Sequence, residues 1–132
     1  MSITVRRDTT RPMRHTVQVR DHQLVVDGTL GEGGDDAGPS AHDLYDAALG
    51  TCKALTLVWY AKRKGIPLAD LEVTVDRDDS AERQGVYKLA TTLKLGGDLS
   101  EAQRQELLAV AGKCPVHKLM TSVTTEITTS LG

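Results

Sequence analysis

The chain has 132 residues, a formal net charge of −2, no Phe and one Trp. That length fits a single domain, expected over residues 1–132, with a core built from Leu, Val, Ile and Ala. The charge gives no basic field, so nucleic acid is not an expected partner.

Residues 2–8 alternate, with Ile3 and Val5 on one face, and suit a first strand. The N-terminus lacks the apolar run of a secretory signal, so the expected location is the cytoplasm. Pro12 cannot donate to a sheet ladder and places a turn at residues 9–14. Residues 15–20 and 23–27 read as two more strands around a tight turn at Asp21 and His22. Residues 27–38 carry five glycines without periodicity and read as a surface loop, a candidate lid. Their glycines form no phosphate-binding pattern.

Residues 38–67, GPSAHDLYDAALGTCKALTLVWYAKRKGIP, predict one long helix of about 36 Å. Ser40 and Asp43 form its capping box, Gly65 its stop, and Lys62, Arg63 and Lys64 suit the negative end of the dipole. Between Ala47 and Tyr60 the only charge is Lys53. So apolar a helix is expected to be surrounded, with one face on a second copy of the chain. The stretch is too short for a bilayer and Lys53 interrupts it, so no membrane is expected.

After Pro67 the pattern turns to β. Residues 71–78 and 86–95 predict an antiparallel hairpin, with Leu71, Val73 and Val75 facing Tyr87, Leu89, Thr91, Leu93 and Leu95. Ser100 and Gln103 box the start of a helix over 100–113, whose apolar face is Leu107, Leu108 and Ala111. Pro115 opens a further helical turn, and 122–130 alternate as a last, Thr-rich strand. The class is α+β with a mostly antiparallel sheet.

Two cysteines, 62 positions apart, form no metal-binding pair, and the four histidines have no ligand spacing, so no metal or other cofactor is expected. Cys114 precedes Pro115 at a helix N-cap, with Lys113 adjacent and His117 one turn along, a setting that favours a thiolate. Cys52 lies mid-helix, where burial alone raises a thiol pKa; it reads as core packing unless the fold brings it a cation. Asp43 is accounted for by capping alone. On a straight helix it lies opposite Cys52, whereas His42 is nearer that face.

The segments GPSAHDLYDAALGTCKA and KCPVHKLM, with a hairpin and a helix between them, resemble the OsmC/Ohr family of thiol-dependent hydroperoxide reductases, its short OsmC-like branch most of all. The resemblance implies an intertwined α+β homodimer around a long central helix. It makes Cys52 the peroxidatic cysteine and Cys114 the resolving one, joined as a disulfide during turnover. It implies an acid at Asp43, or at His42 in the Ohr alignment, and both positions depart from the family's glutamate. The activating arginine falls on Arg11, with Arg14 behind it. The implied substrate is a small hydrophobic hydroperoxide, and the implied reductant a dithiol of lipoyl type or another thiol. Two other readings stay open: a small-molecule binder with Cys52 as packing, and a cysteine hydrolase using His42 or His117 as base.

Overall fold

The computed structural model describes all 132 residues. The chain forms two compact units, residues 1–45 and 46–132.

In the first unit, β1 (Ile3–Arg7), β2 (His15–Val19) and β3 (His22–Val26) form an antiparallel meander in the order β1-β2-β3. Val17 pairs with Val5 on one side and Leu24 on the other, and is the buried residue of the sheet. Arg20 takes a left-handed φ of 50° in the two-residue turn between β2 and β3.

The glycine loop is more organised than an open lid. Asp27 is buried, and its carboxylate accepts the N–H groups of Gly28 (2.8 Å), Asp35 (3.3 Å) and Ala37 (3.1 Å). Residues Leu30–Glu32 form a 3-10 turn closed by a Thr29–Glu32 capping box. A Cβ at Gly34 or Gly38 would run into the backbone carbonyl of Gly28 or Val25, so these glycines let the strand end and the loop close on each other.

Helix α1 spans Ala41–Lys64. Ser40 N–H donates to Asp43 Oδ2 (2.9 Å) and Asp43 N–H donates back to Ser40 Oγ (3.3 Å). At the far end Gly65 has φ 67°, and Ile66 N–H closes on the Ala61 carbonyl at 2.9 Å.

In the second unit, β4 (Asp70–Asp78) and β5 (Lys88–Gly96) form the expected antiparallel hairpin, with Leu71 opposite Leu95 and Val73 opposite Leu93. Helix α2 (Glu101–Ala111) opens on the Ser100–Gln103 capping box, and α3 (Pro115–Thr121) opens on Pro115. The core gathers Leu57, Ala61, Ile66, Leu107 and Ala111, with Leu71, Leu93 and Leu95 packed against it. Gly50 lets α1 approach the hairpin closely: a Cβ there would sit 2.9 Å from Val75 Cγ2.

Within the chain the core takes one stripe of α1 and leaves Leu55 66% and Trp59 60% exposed, with Arg63 over the Trp59 ring at 5.0 Å. The structure corrects three expectations. Leu108 is exposed, because the α2 seam runs through Leu107 and Ala111. Tyr87 precedes β5 instead of extending it. Residues 124–130 form no strand; alternation supplies a face, but a strand also needs a neighbouring ladder, and this segment has none in the chain.

Candidate active site

Three helices of the second unit meet around the two sulfurs. Helix α1 contributes Cys52 and Lys53 from its middle, α2 ends at Ala111, and Cys114 is the N-cap of α3. The first turn of a helix has N–H groups with no intrahelical partner, and the last turn has carbonyls in the same state. Both kinds are used here. The Val116 N–H, in the first turn of α3, donates to Cys52 Sγ at 3.4 Å. The Ala111 carbonyl, in the last turn of α2, accepts from Lys53 Nζ at 2.7 Å.

Lys53 is 3% exposed, an unusual state for a lysine. Its second contact is His117 Nδ1, 3.0 Å away. An ammonium has only donors, so beside a charged Lys53 the imidazole accepts at Nδ1 and carries its proton on Nε2. Adjacent residues of α1 therefore touch adjacent residues of α3: Cys52 with Val116, and Lys53 with His117.

The cysteines differ in the opposite sense from the local sequence reading. Cys114 is 0% exposed, whereas Cys52 is partly accessible. Burial pushes the Cys114 thiol above its ordinary value. The His117 N–H pulls it down, the neighbouring Cys52 sulfur pushes it up, and the Lys53 charge lowers it; burial prevails. An N-cap position favours a thiolate, but removing the sulfur from water outweighs that benefit at Cys114.

A second polar cluster lies nearer the start of α1. Asp46 is buried, accepts Arg77 Nε of β4 at 2.5 Å and the Tyr87 hydroxyl at 2.7 Å. Burial and then the Asp46 carboxylate push the Tyr87 phenol up to about 12. The cluster fastens α1 to the hairpin.

The remaining sequence candidates belong to the first unit. Asp43 makes the helix cap described above. His42 is exposed at the same helix start. Arg14 reaches Asp27 Oδ2 (3.8 Å) and Asp35 Oδ2 (3.6 Å). Arg11 is exposed in the turn after β1, its N–H on the Asp8 carbonyl. No three His, Cys, Asp or Glu side chains cluster as metal ligands.

The sequence reading missed Lys53, Asp46, Arg77 and Tyr87 as structural partners. For Lys53 the signal was visible: a lone charge inside an apolar helical stretch must either reach solvent or find buried partners.

The antiparallel α+β fold thus brings two cysteine sulfurs together at one helix end. The OsmC-like protein family model matches residues 33–130, and the chain belongs to that family. Among solved structures, the OsmC-like protein of Mycoplasma pneumoniae is similar, at 20% identity and a TM-score of 0.74, covering 92% of this chain and 87% of that one. So is the organic hydroperoxide resistance protein OsmC of Legionella pneumophila, at 18% identity and 0.66, covering 92% and 90%. The organic hydroperoxide resistance protein OhrB of Bacillus subtilis follows at 23% identity and 0.60, covering 92% and 90%. No curated protein matches the chain significantly.

Proposed function

We propose that the protein is a thiol-dependent peroxidase that reduces organic hydroperoxides. The observation that carries this reading is the meeting of Cys52 and Cys114 at the start of α3, with Cys52 the accessible sulfur and Cys114 held as a buried thiol. The Cys52 thiolate attacks the terminal oxygen of ROOH, the O–O bond breaks, and the leaving alkoxide takes a proton to give ROH and Cys52–SOH. Cys114–SH then displaces water from that sulfenic acid and forms the disulfide. An external dithiol, of lipoyl type or another, takes the two oxidising equivalents and returns both thiols.

Arg11 and Asp43 carry the roles of guanidinium and orienting acid in this proposal, with Arg14 and His42 as their neighbouring alternatives. Apolar exposure at Leu55, Val58 and Trp59 supports a homodimer. No helix is long and apolar enough to cross a membrane, and a cytoplasmic site of action accompanies the proposal.

Stopped-flow oxidation of the reduced protein with cumene hydroperoxide, a fatty-acid hydroperoxide and hydrogen peroxide tests it. Faster consumption of the two organic peroxides is expected. No reaction above that of free thiol removes the peroxidase reading and leaves the binding protein in first place. Burst release from an activated ester would favour the hydrolase.

A further inference from the structure

Helix α3 has little packing of its own. None of its seven residues is buried, and none belongs to the hydrophobic core. A helix this short is marginal alone, so its position depends on what reaches it from other elements. Two adjacent residues of α1 do so. Cys52 Sγ accepts the Val116 N–H at 3.4 Å, and Lys53 Nζ meets His117 Nδ1 at 3.0 Å.

Lys53 also holds the other side of the corner. The same Nζ donates to the carbonyl of Ala111, the last residue of α2, at 2.7 Å. Ala111 and His117 stand three residues before and three residues after Cys114. One buried side chain therefore fastens both ends of the segment that carries Cys114, and it does so from the position next to Cys52.

The geometry points to Lys53 as a positioning residue: its Nζ clamps the α2–α3 corner at Ala111 and His117 and so holds Cys114 in place to form the disulfide with Cys52. The inference rests on the two-thiol peroxidase reading for its purpose and adds to it the side chain that sets the resolving step. In that step Cys52–SOH and Cys114–SH give the disulfide and H₂O. The S–O bond breaks, the S–S bond forms, and the Cys114 proton leaves with the hydroxyl group as water. The Val116 contact ends on a sulfur that the reaction changes. Both Lys53 contacts end on atoms that it leaves alone, so the corner stays fixed while Cys52 passes from thiol to sulfenic acid to disulfide. Preorganisation of this kind raises the effective concentration of one thiol at the other.

The test is the thiol–disulfide equilibrium of the folded protein with reduced and oxidised glutathione. It gives the effective concentration of Cys114 at Cys52 and needs no peroxide. A residue that steadies the dithiol and disulfide forms equally leaves this constant unchanged. Loss of the clamp frees the corner only in the dithiol form, since the disulfide holds it in the other, and so lowers the constant. In Lys53→Met the effective concentration is expected to fall about tenfold.

Because a substituted buried lysine can disturb folding, the partly exposed His117 is varied as well. His117→Leu removes the acceptor and should lower the constant several-fold. His117→Asn keeps an acceptor oxygen for Nζ and should restore most of it. A constant unchanged in Lys53→Met and His117→Leu, or lowered alike in His117→Leu and His117→Asn, overturns the proposal. Consumption of cumene hydroperoxide by the parent protein is assayed separately. A constant that falls as expected, in a protein that consumes no peroxide, keeps the clamp and removes the peroxidase reading; a peroxidase whose constant does not move in the variants does the reverse.

Discussion

Val116 holds Cys52 by a single backbone contact, N–H to Sγ at 3.4 Å, and thereby ties the middle of the longest helix to the start of the shortest. Cys114 caps that same short helix. Neither sulfur is placed by its neighbours in sequence alone; both are placed by where α3 begins.

The division of labour between the sulfurs gives the first prediction. Cys114→Ser should consume one equivalent of hydroperoxide and stop at Cys52–SOH, which dimedone labels and mass spectrometry locates. Cys52→Ser should lose fast consumption altogether, because the thiol that remains is buried and held protonated. Dimedone on Cys114 with fast peroxide loss in Cys52→Ser would reverse the roles.

Tyr87 predicts an alkaline weakness. Its folded pKa, raised to about 12, lies above the ordinary phenol value of 10.0. The folded chain keeps a proton that the unfolded chain releases, so this contribution is complete below pH 10 and falls as the pH rises toward 12. Chemical unfolding at pH 9, 10, 11 and 12 should show that loss, with a shallower slope in Tyr87→Phe. Equal slopes would contradict the assignment.

Gly50 tests the helix–hairpin contact. Alanine is the better helix former by about 1 kcal/mol, but its Cβ would press on Val75, whose β-branched side chain has little freedom to yield. Overpacking of this kind costs about 1–3 kcal/mol. Gly50→Ala should therefore lower stability by about 1 kcal/mol net, and Gly50→Ala with Val75→Ala should recover part of it. A Gly50→Ala protein more stable than the parent would remove the close contact.

Asp43 separates capping from catalysis. Asp43→Ala should cost about 1 kcal/mol of stability through the lost box with Ser40. The orienting role proposed for Asp43 predicts, in addition, slower peroxide consumption at neutral pH in Asp43→Asn and in Arg11→Ala. Stability lost with the peroxide rate unchanged in all three variants would leave Asp43 as a cap and nothing more.

The parts legible in the sequence were those set by local chemistry. Ser40, Gly65, Ser100 and Pro115 mark helix ends because orphan backbone groups need partners within a few residues, and each stands where the structure places it. The hairpin was legible because two alternating runs, 71–78 and 86–95, are joined by a short polar turn and each has one apolar face to bury. What depends on tertiary placement was not. Cys114 looked activated from its N-cap position, but Leu107 and Ala111 belong to a core that closes next to it and takes it out of water. Lys53 looked like an interruption of an apolar helix, and its burial required α2 to end where its carbonyl meets Nζ. The last segment had the period of a strand without an edge to pair with.

The measurement that tests the central claim most directly is the mass of the reduced protein after one equivalent of cumene hydroperoxide, with peptide mapping. The account predicts one intramolecular Cys52–Cys114 disulfide per chain, formed faster than any free thiol reacts and fully reversed by a dithiol. A protein that keeps both thiols, or that accumulates sulfinic acid at Cys52 with Cys114 untouched, would contradict it.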